Sequence, residues 1–196
     1  MTDTKWNGLE PLARTASGHS QIHLLGFMGC GKSTVARLLA RRLVWNYLDL
    51  DVLIVRHAGA SIAAIFASDG EAAFRDMEKH VLRQVVKKPR TIVALGGGTT
   101  VLEQNRDLIG RHALSVWLRA SFATCRERVG GRAERPLFGD PESARRLFDE
   151  RQSDYASAAV TVSAEDSARD VAFRIEAAAR GPVAAWEVWV EVRWAA

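Results

Sequence analysis

One octet constrains this chain more than any other stretch: Gly26-Phe27-Met28-Gly29-Cys30-Gly31-Lys32-Ser33. A short apolar run, Ile22 to Leu25, leads into it. Lys32 to Leu43 follows with Val35, Leu38, Leu39 and Leu43 on one helical face. Strand, glycine-rich turn and helix, in that order, form the setting in which a Gly-x-x-x-x-Gly-Lys-Ser pattern binds phosphate. The glycines let successive backbone N–H groups turn inward without a Cβ in the way. The start of the following helix adds the positive end of its dipole. Lys32 then has the reach for the β- and γ-phosphates, and the Ser33 hydroxyl can ligate Mg²⁺. Gly29, Cys30, Gly31, Lys32, Ser33 and Thr34 are therefore the candidate nucleotide-binding set, and a phosphotransferase that uses ATP is expected. No Asn-Lys-x-Asp guanine signature is present, and at 196 residues the chain is short for a motor domain.

From Gln21 onward short apolar runs alternate with helical patterns. Strands are predicted at Ile22–Leu25, Tyr47–Leu50, Ile92–Leu95, Leu114–Leu118 and Val160–Val162. Helices are predicted at Lys32–Leu43, from Ser61 through Phe66, and at Glu71–Val86, Ser121–Val129, Glu142–Tyr155 and Ser167–Ala179. Such alternation means a parallel sheet covered on both faces, here an α/β, three-layer α/β/α arrangement with five parallel strands. Residues 1–20 read as a loose leader, 21–180 as one domain and 181–196 as a Trp-rich tail. In the tail Trp186, Val188, Val190, Val192 and Trp194 alternate with Glu187, Trp189, Glu191 and Arg193, a period of two. The tail either adds an edge strand, pairs with another chain or takes no fixed place.

Composition sets limits on the partners. The formal charge is +4, but the arginines are dispersed and no aromatic–basic stripe marks a nucleic-acid face. A basic cleft for anionic substrates accounts for the balance. No apolar run approaches the roughly 20 residues that span a bilayer, and the first residues lack the apolar core of a secretory signal. A cytoplasmic monomer is expected, acting on small molecules and bound to neither nucleic acid nor membrane. Cys30 and Cys125 lack metal-like spacing. Cys30, inside the phosphate loop, is read either as a thiolate favoured by Lys32 and the helix start or as an inert small residue.

Three features define the acceptor side. Asp49-Leu50-Asp51 closes the second strand at the edge that faces the ligand crevice in an open α/β sheet. One carboxylate of such a pair can support Mg²⁺ while the other takes a hydrogen bond or proton from an acceptor hydroxyl. Gly96-Gly97-Gly98 ends the third strand at the same edge, where backbone can approach a small ligand. Arg128, Arg132 and Arg135 lie within or beside a glycine-rich stretch, Gly130–Gly139, suited to a lid that neutralises charge and excludes water.

An ordered set of motifs carries a resemblance. It comprises Gly26–Thr34, Asp49-x-Asp51, Ser61-Ile62-x-x-Ile65-Phe66, Gly70-Glu71-x-x-Phe74-Arg75-x-x-Glu78, Leu95-Gly96-Gly97-Gly98, Arg135-Pro136-Leu137 and Arg151-x-x-x-Tyr155. Together they resemble shikimate kinases over about Ile22 to Ala178. The resemblance implies the P-loop kinase fold, with Asp51, Arg75, Gly97, Gly98 and Arg151 contacting shikimate, beside Gly96. It implies Lys32, Ser33 and Arg128 for nucleotide and Mg²⁺; from the Asp pair beside the phosphate loop, Ser33 and Asp49 are the candidates to hold the one Mg²⁺ expected. Arg135 would come in from the lid during transfer, so Lys32, Asp51 and Arg135 are the catalytic candidates. Glu78, one turn after Arg75, is spaced to orient that guanidinium. The chain departs from the family at Thr99-Thr100, where small or apolar residues are expected. It departs again at Ser163-Ala164-Glu165-Asp166-Ser167, which lacks the Arg and Pro common in the adenine loop. The function expected is ATP-dependent phosphorylation of shikimate to shikimate 3-phosphate. The rivals are a kinase for another small hydroxy acid such as gluconate and a non-catalytic nucleotide-binding module.

Overall fold

The computed structural model describes residues 12–130 and 140–181 and the backbone of the strand Val190–Val192. Its elements run β1 (Gln21–Leu25), α1 (Lys32–Leu43), β2 (Asn46–Asp49), α2 (Leu50–Ala58), α3 (Ile62–Ser68), α4 (Gly70–Val85), β3 (Thr91–Ala94), a 3₁₀ turn (Thr99–Val101) and α5 (Glu103–His112). There follow β4 (Leu114–Arg119), α6 (Phe122–Val129), α7 (Pro141–Tyr155), β5 (Val160–Ser163), α8 (Ala168–Arg180) and β6 (Val190–Val192). The helices begin where their sequences say they should. Ser61, Ser121, Asp140 and Ser167 each accept a backbone N–H of the following first turn, which satisfies donors the helix leaves unpaired.

The strands lie in the order β2-β3-β1-β4-β5-β6, the first five parallel as expected. All five residues of β1 are buried. Successive strand residues point to opposite faces, so helices must cover both sides, which gives the three layers. α1 and α8 pack against each other, and a buried Glu176 on α8 holds Arg42 of α1 and Arg180 of its own helix. Register puts Asp49 beside Ala94 and Ala94 beside Leu24. The phosphate loop, the glycine triplet and Asp49 therefore leave three neighbouring strands at one level, the ligand edge of such a sheet.

Several expectations change. The second strand stops at Asp49, one residue short, and a helix begins at once, so Asp51 stands in the first turn of α2. Leu50-Asp51-Val52-Leu53-Ile54-Val55 looks like strand, but Asp49 caps it as helix by accepting from Val52 N. α5 carries only Asn105 and Ile109 as buried residues, too few for a helical period to show. The leader over residues 12–20 has no regular element, yet it is tied down: Ala16 N donates to Ala179 O and Trp45 Nε1 to Leu12 O. At the other end, Val190–Val192 pairs antiparallel with β5, a sixth strand on the edge.

β1 also buries two polar side chains on one face, Gln21 and His23. Gln21 Nε2 donates to the carbonyls of Val85 and Lys88. Its Oε1 must then be the acceptor for His23 Nε2, 2.7 Å away, which assigns the neutral Nε2–H tautomer. Burial pushes the His23 pKa down to about 3, and His112 and His19 act in the same direction. An unfolded histidine titrates near 6.5, so below that pH the unfolded chain binds a proton that the folded one refuses. Stability should fall as pH drops from about 6.5 toward 3, by about 1.4 kcal/mol per unit from this group. Urea unfolding midpoints from pH 7 to 4, compared between the native chain and His23→Leu, isolate that slope. Equal slopes in the two proteins would assign it elsewhere.

Candidate active site

The phosphate loop opens where β1 ends. Gly29 has φ +83, and a Cβ there would lie 2.3 Å from Cys125 O, so neither conformation nor space admits a side chain. α1 starts after Gly31 with no side-chain cap and no acidic residue in its first turn. The N–H groups and the positive dipole end are thus left without a competing carboxylate. Lys32 Nζ donates to Gly26 O at 2.7 Å and Phe27 O at 3.1 Å, which folds the ammonium over the loop and leaves its third N–H for a phosphate oxygen. Thr34 is exposed in the first turn.

Asp49 is the hub of the neighbouring corner. Its Oδ2 accepts from Ser33 Oγ at 2.7 Å and from Tyr47 Oη at 3.1 Å, while Oδ1 caps α2. Burial and the Asp49 charge raise the Tyr47 pKa, which keeps that phenol a donor. A hydroxyl and a carboxylate oxygen in contact at the head of α1 make a hard-oxygen pair of the kind that suits Mg²⁺.

At the end of β3 the acceptor-side candidates converge. A Cβ on Gly96 would come within 2.6 Å of Asp51 Oδ1, 3.1 Å of Thr99 Oγ1 and 3.3 Å of Glu78 Oε1. One on Gly98 would meet both Nη atoms of Arg75, at 2.9 and 3.0 Å. Gly96 and Gly98 are glycine because a carboxylate and a guanidinium lie against their backbone, whereas Gly97 has room for a Cβ. Arg75 donates from Nε and Nη2 to Glu71 Oε1 and from Nη1 to Glu78 Oε2 at 2.9 Å, the pairing its spacing suggests. Three of five N–H donors are used, which leaves one on each Nη for a ligand. Burial works against its charge, but Glu78 and Glu71 more than compensate, so the Arg75 pKa is raised.

Arg151 lies one turn before Tyr155 on α7 and pairs with Asp154 at 3.6 Å. The link from α7 to the triplet is Tyr155, whose Oη donates to Gly97 O at 2.6 Å. This residue was part of the quoted Arg-x-x-x-Tyr pattern without a role of its own. Arg128 spans two loops: Nη1 donates to Ala164 O at 2.7 Å and Cys30 O at 3.4 Å, and Nη2 to Glu165 O and Asp166 O. Glu165 caps α6 by accepting from Ser121 N and Thr124 Oγ1. Those bonds, Thr124 first, lower its pKa. Arg132 and Arg135 lie outside the described residues.

Comparison with known proteins agrees with this fold. The family model described as Shikimate kinase matches residues 28–179. A shikimate kinase of Salinibacter ruber is 39% identical over 167 residues, which is 79% of this chain and 82% of that protein. One of Geobacter sulfurreducens is 41% identical over 158 residues, covering 79% and 87%. Among solved structures, a shikimate kinase from Acinetobacter baumannii in complex with shikimate aligns with TM-score 0.76 at 32% identity, over 82% of this chain and 92% of that one.

Cys30 meets its environment differently from the reactive reading. Its side chain is 1% exposed and its sulfur sits under Gly26, so only its backbone faces the loop. Cys125 is also buried, and burial pushes its thiol up to about 12. Reaction needs an exposed thiolate. A chromogenic disulfide reagent should therefore titrate both thiols quickly in urea and neither quickly in the native protein. Fast labelling of native Cys30, located by mass spectrometry, would restore the reactive reading.

Proposed function

The chain belongs to the shikimate kinase family and is a small-molecule kinase, and we propose that it transfers the γ-phosphoryl group of ATP to a hydroxyl of shikimate. The products are shikimate 3-phosphate and ADP, on the route to chorismate and the aromatic amino acids. One observation carries the assignment. Asp51 and Arg75, from two helices, lie against one glycine triplet, on the strand next to the one that feeds the phosphate loop. A base and a carboxylate fork thus stand beside the phosphoryl donor.

The roles follow from the contacts. Backbone N–H groups from Gly29 to Thr34 and the third donor of Lys32 bind the phosphates. Arg128, its guanidinium fixed in plane by backbone carbonyls, offers a flat face for the nucleotide base. Arg75, with Arg151 as second donor, takes the acceptor's carboxylate through paired hydrogen bonds. Asp51 receives the proton of the attacking hydroxyl as its oxygen closes on the γ-phosphorus in line with the departing ADP oxygen. Arg135 is assigned to the charge that develops during transfer.

Mg²⁺, when bound, neutralises charge on the β- and γ-phosphates. Ser33 and Asp49 would hold it. Among the described residues no group of three or more His, Cys, Asp or Glu is placed to bind a metal. That suits an ion that keeps several waters and phosphate oxygens as ligands. The proposal includes a cytoplasmic monomer built on a kinase domain over 21–180, to whose sheet Val190–Val192 adds an edge strand. In support, both cysteines are free thiols and, among the described residues, no single helix is long and apolar enough to cross a membrane.

ADP release should require shikimate, be slow with gluconate and nearly absent without an acid. Esterifying the carboxylate removes a charge-assisted pair of about 1.5–3 kcal/mol, so kcat/KM for the methyl ester should drop by about 10- to 150-fold. If the ester reacts as well as the acid, another hydroxy compound is the substrate.

Asp51→Asn should lower kcat by about 10²- to 10⁴-fold, the contribution of a general base, while the affinity for ATP hardly moves. An unchanged kcat would leave Asp51 a capping-turn residue only.

A further inference from the structure

Thr99 follows directly on the glycine triplet, and the structure gives its hydroxyl a partner. Its side chain is fully buried, and Oγ1 donates to Glu78 Oε1 at 2.7 Å. The other oxygen of the same carboxylate, itself 1% exposed, accepts from Arg75 Nη1 at 2.9 Å. Thr99 is held in turn: Asn105 of α5, also fully buried, donates from Nδ2 to Thr99 O at 3.0 Å, and Thr99 N donates to Gly96 O. A chain of hydrogen bonds thus runs from α5 through Thr99 and Glu78 to the guanidinium that lies on Gly98.

The terminal torsion of a glutamate is broad, so one bond to Arg75 does not fix the plane of the Glu78 carboxylate. A second bond from a rigid position does. The other partner of Arg75 cannot supply this rigidity, because Glu71 is 65% exposed and competes with water. β-Branching restricts the Thr99 rotamer, and the 3₁₀ turn that carries it begins at the glycine triplet itself.

We infer that Thr99 is a positioning residue for shikimate: acting through Glu78, it sets the plane of the Arg75 fork that receives the substrate's carboxylate. This rests on the assignment of Arg75 to that carboxylate. Thr99 touches no substrate, so removing its hydroxyl should act on acceptor binding and spare the nucleotide. In Thr99→Val, which keeps the shape, KM for shikimate should rise about tenfold, the order expected for one hydrogen bond to a charged group. kcat should change by much less, and KM for ATP should not change. Thr99→Ala should give the same split, and Thr99→Ser should restore the native KM.

Because the effect passes through Glu78, Thr99→Val should add little to KM in a Glu78→Gln background, as two members of one hydrogen-bond chain do, while serine rescue separates the hydroxyl from packing. Arg75→Lys, measured in parallel, separates the two levels. If Arg75→Lys raises KM for shikimate and Thr99→Val does not, the inference fails and the clamp stands. If neither raises it, the clamp fails and the inference with it. Rises in both, with serine rescue and non-additivity with Glu78, support it. A rise in Thr99→Val that serine does not rescue, or that simply adds to Glu78→Gln, reduces Thr99 to packing and overturns it.

Discussion

The carboxylate of Asp49 holds the donor and acceptor halves of the site in one frame. Three separate pieces of chain hydrogen-bond to it: Ser33 from the head of α1, Tyr47 from β2 and the first turn of α2. α1 carries the phosphate-binding amides, and α2 carries Asp51. On the proposed assignment, with Asp51 as base, the distance between phosphoryl donor and base is set by one short residue at the end of a strand, not by loop packing. Positioning of this kind is the main thing a phosphoryl-transfer enzyme must provide.

Charge on the acceptor side is balanced instead of piled up. Arg75 faces Glu71 and Glu78, while Arg151 and Arg106 share Asp154. Three cations face these three carboxylates, and Asp51 beside Gly96 adds a fourth negative charge, so these groups leave no net positive field to pull in an anion. On the proposed assignment, selection comes from geometry: the two N–H groups that Arg75 has left, at the angle Glu78 gives them, against the plane of an incoming carboxylate. Electrostatic arrangement of this sort favours specificity over raw affinity.

Much of this was legible in the sequence wherever the chemistry is local. The phosphate loop is contiguous, because one run of backbone must wrap one phosphate. The Arg75–Glu78 pair is three residues apart on a helix, and helical spacing announces it. What escaped has two physical causes. Some contacts are long-range, such as Tyr155 to Gly97 across 58 positions and Thr99 to Glu78 across 21, and no local pattern encodes them. Others turn on direction. A cysteine in a phosphate loop says where its amide is, not that its sulfur points inward under Gly26. Likewise an apolar run after Asp49 is helix, not strand, because that aspartate caps it.

The short antiparallel strand β6 has a consequence for how copies of this chain meet. The unpaired N–H and C=O groups of an outermost strand are a template onto which another chain can add. On the β5 side that template is taken up by the chain's own Val190–Val192. Among the described residues, the border left on that flank is a strand of three residues, shorter than the long, flat edges that invite pairing between molecules.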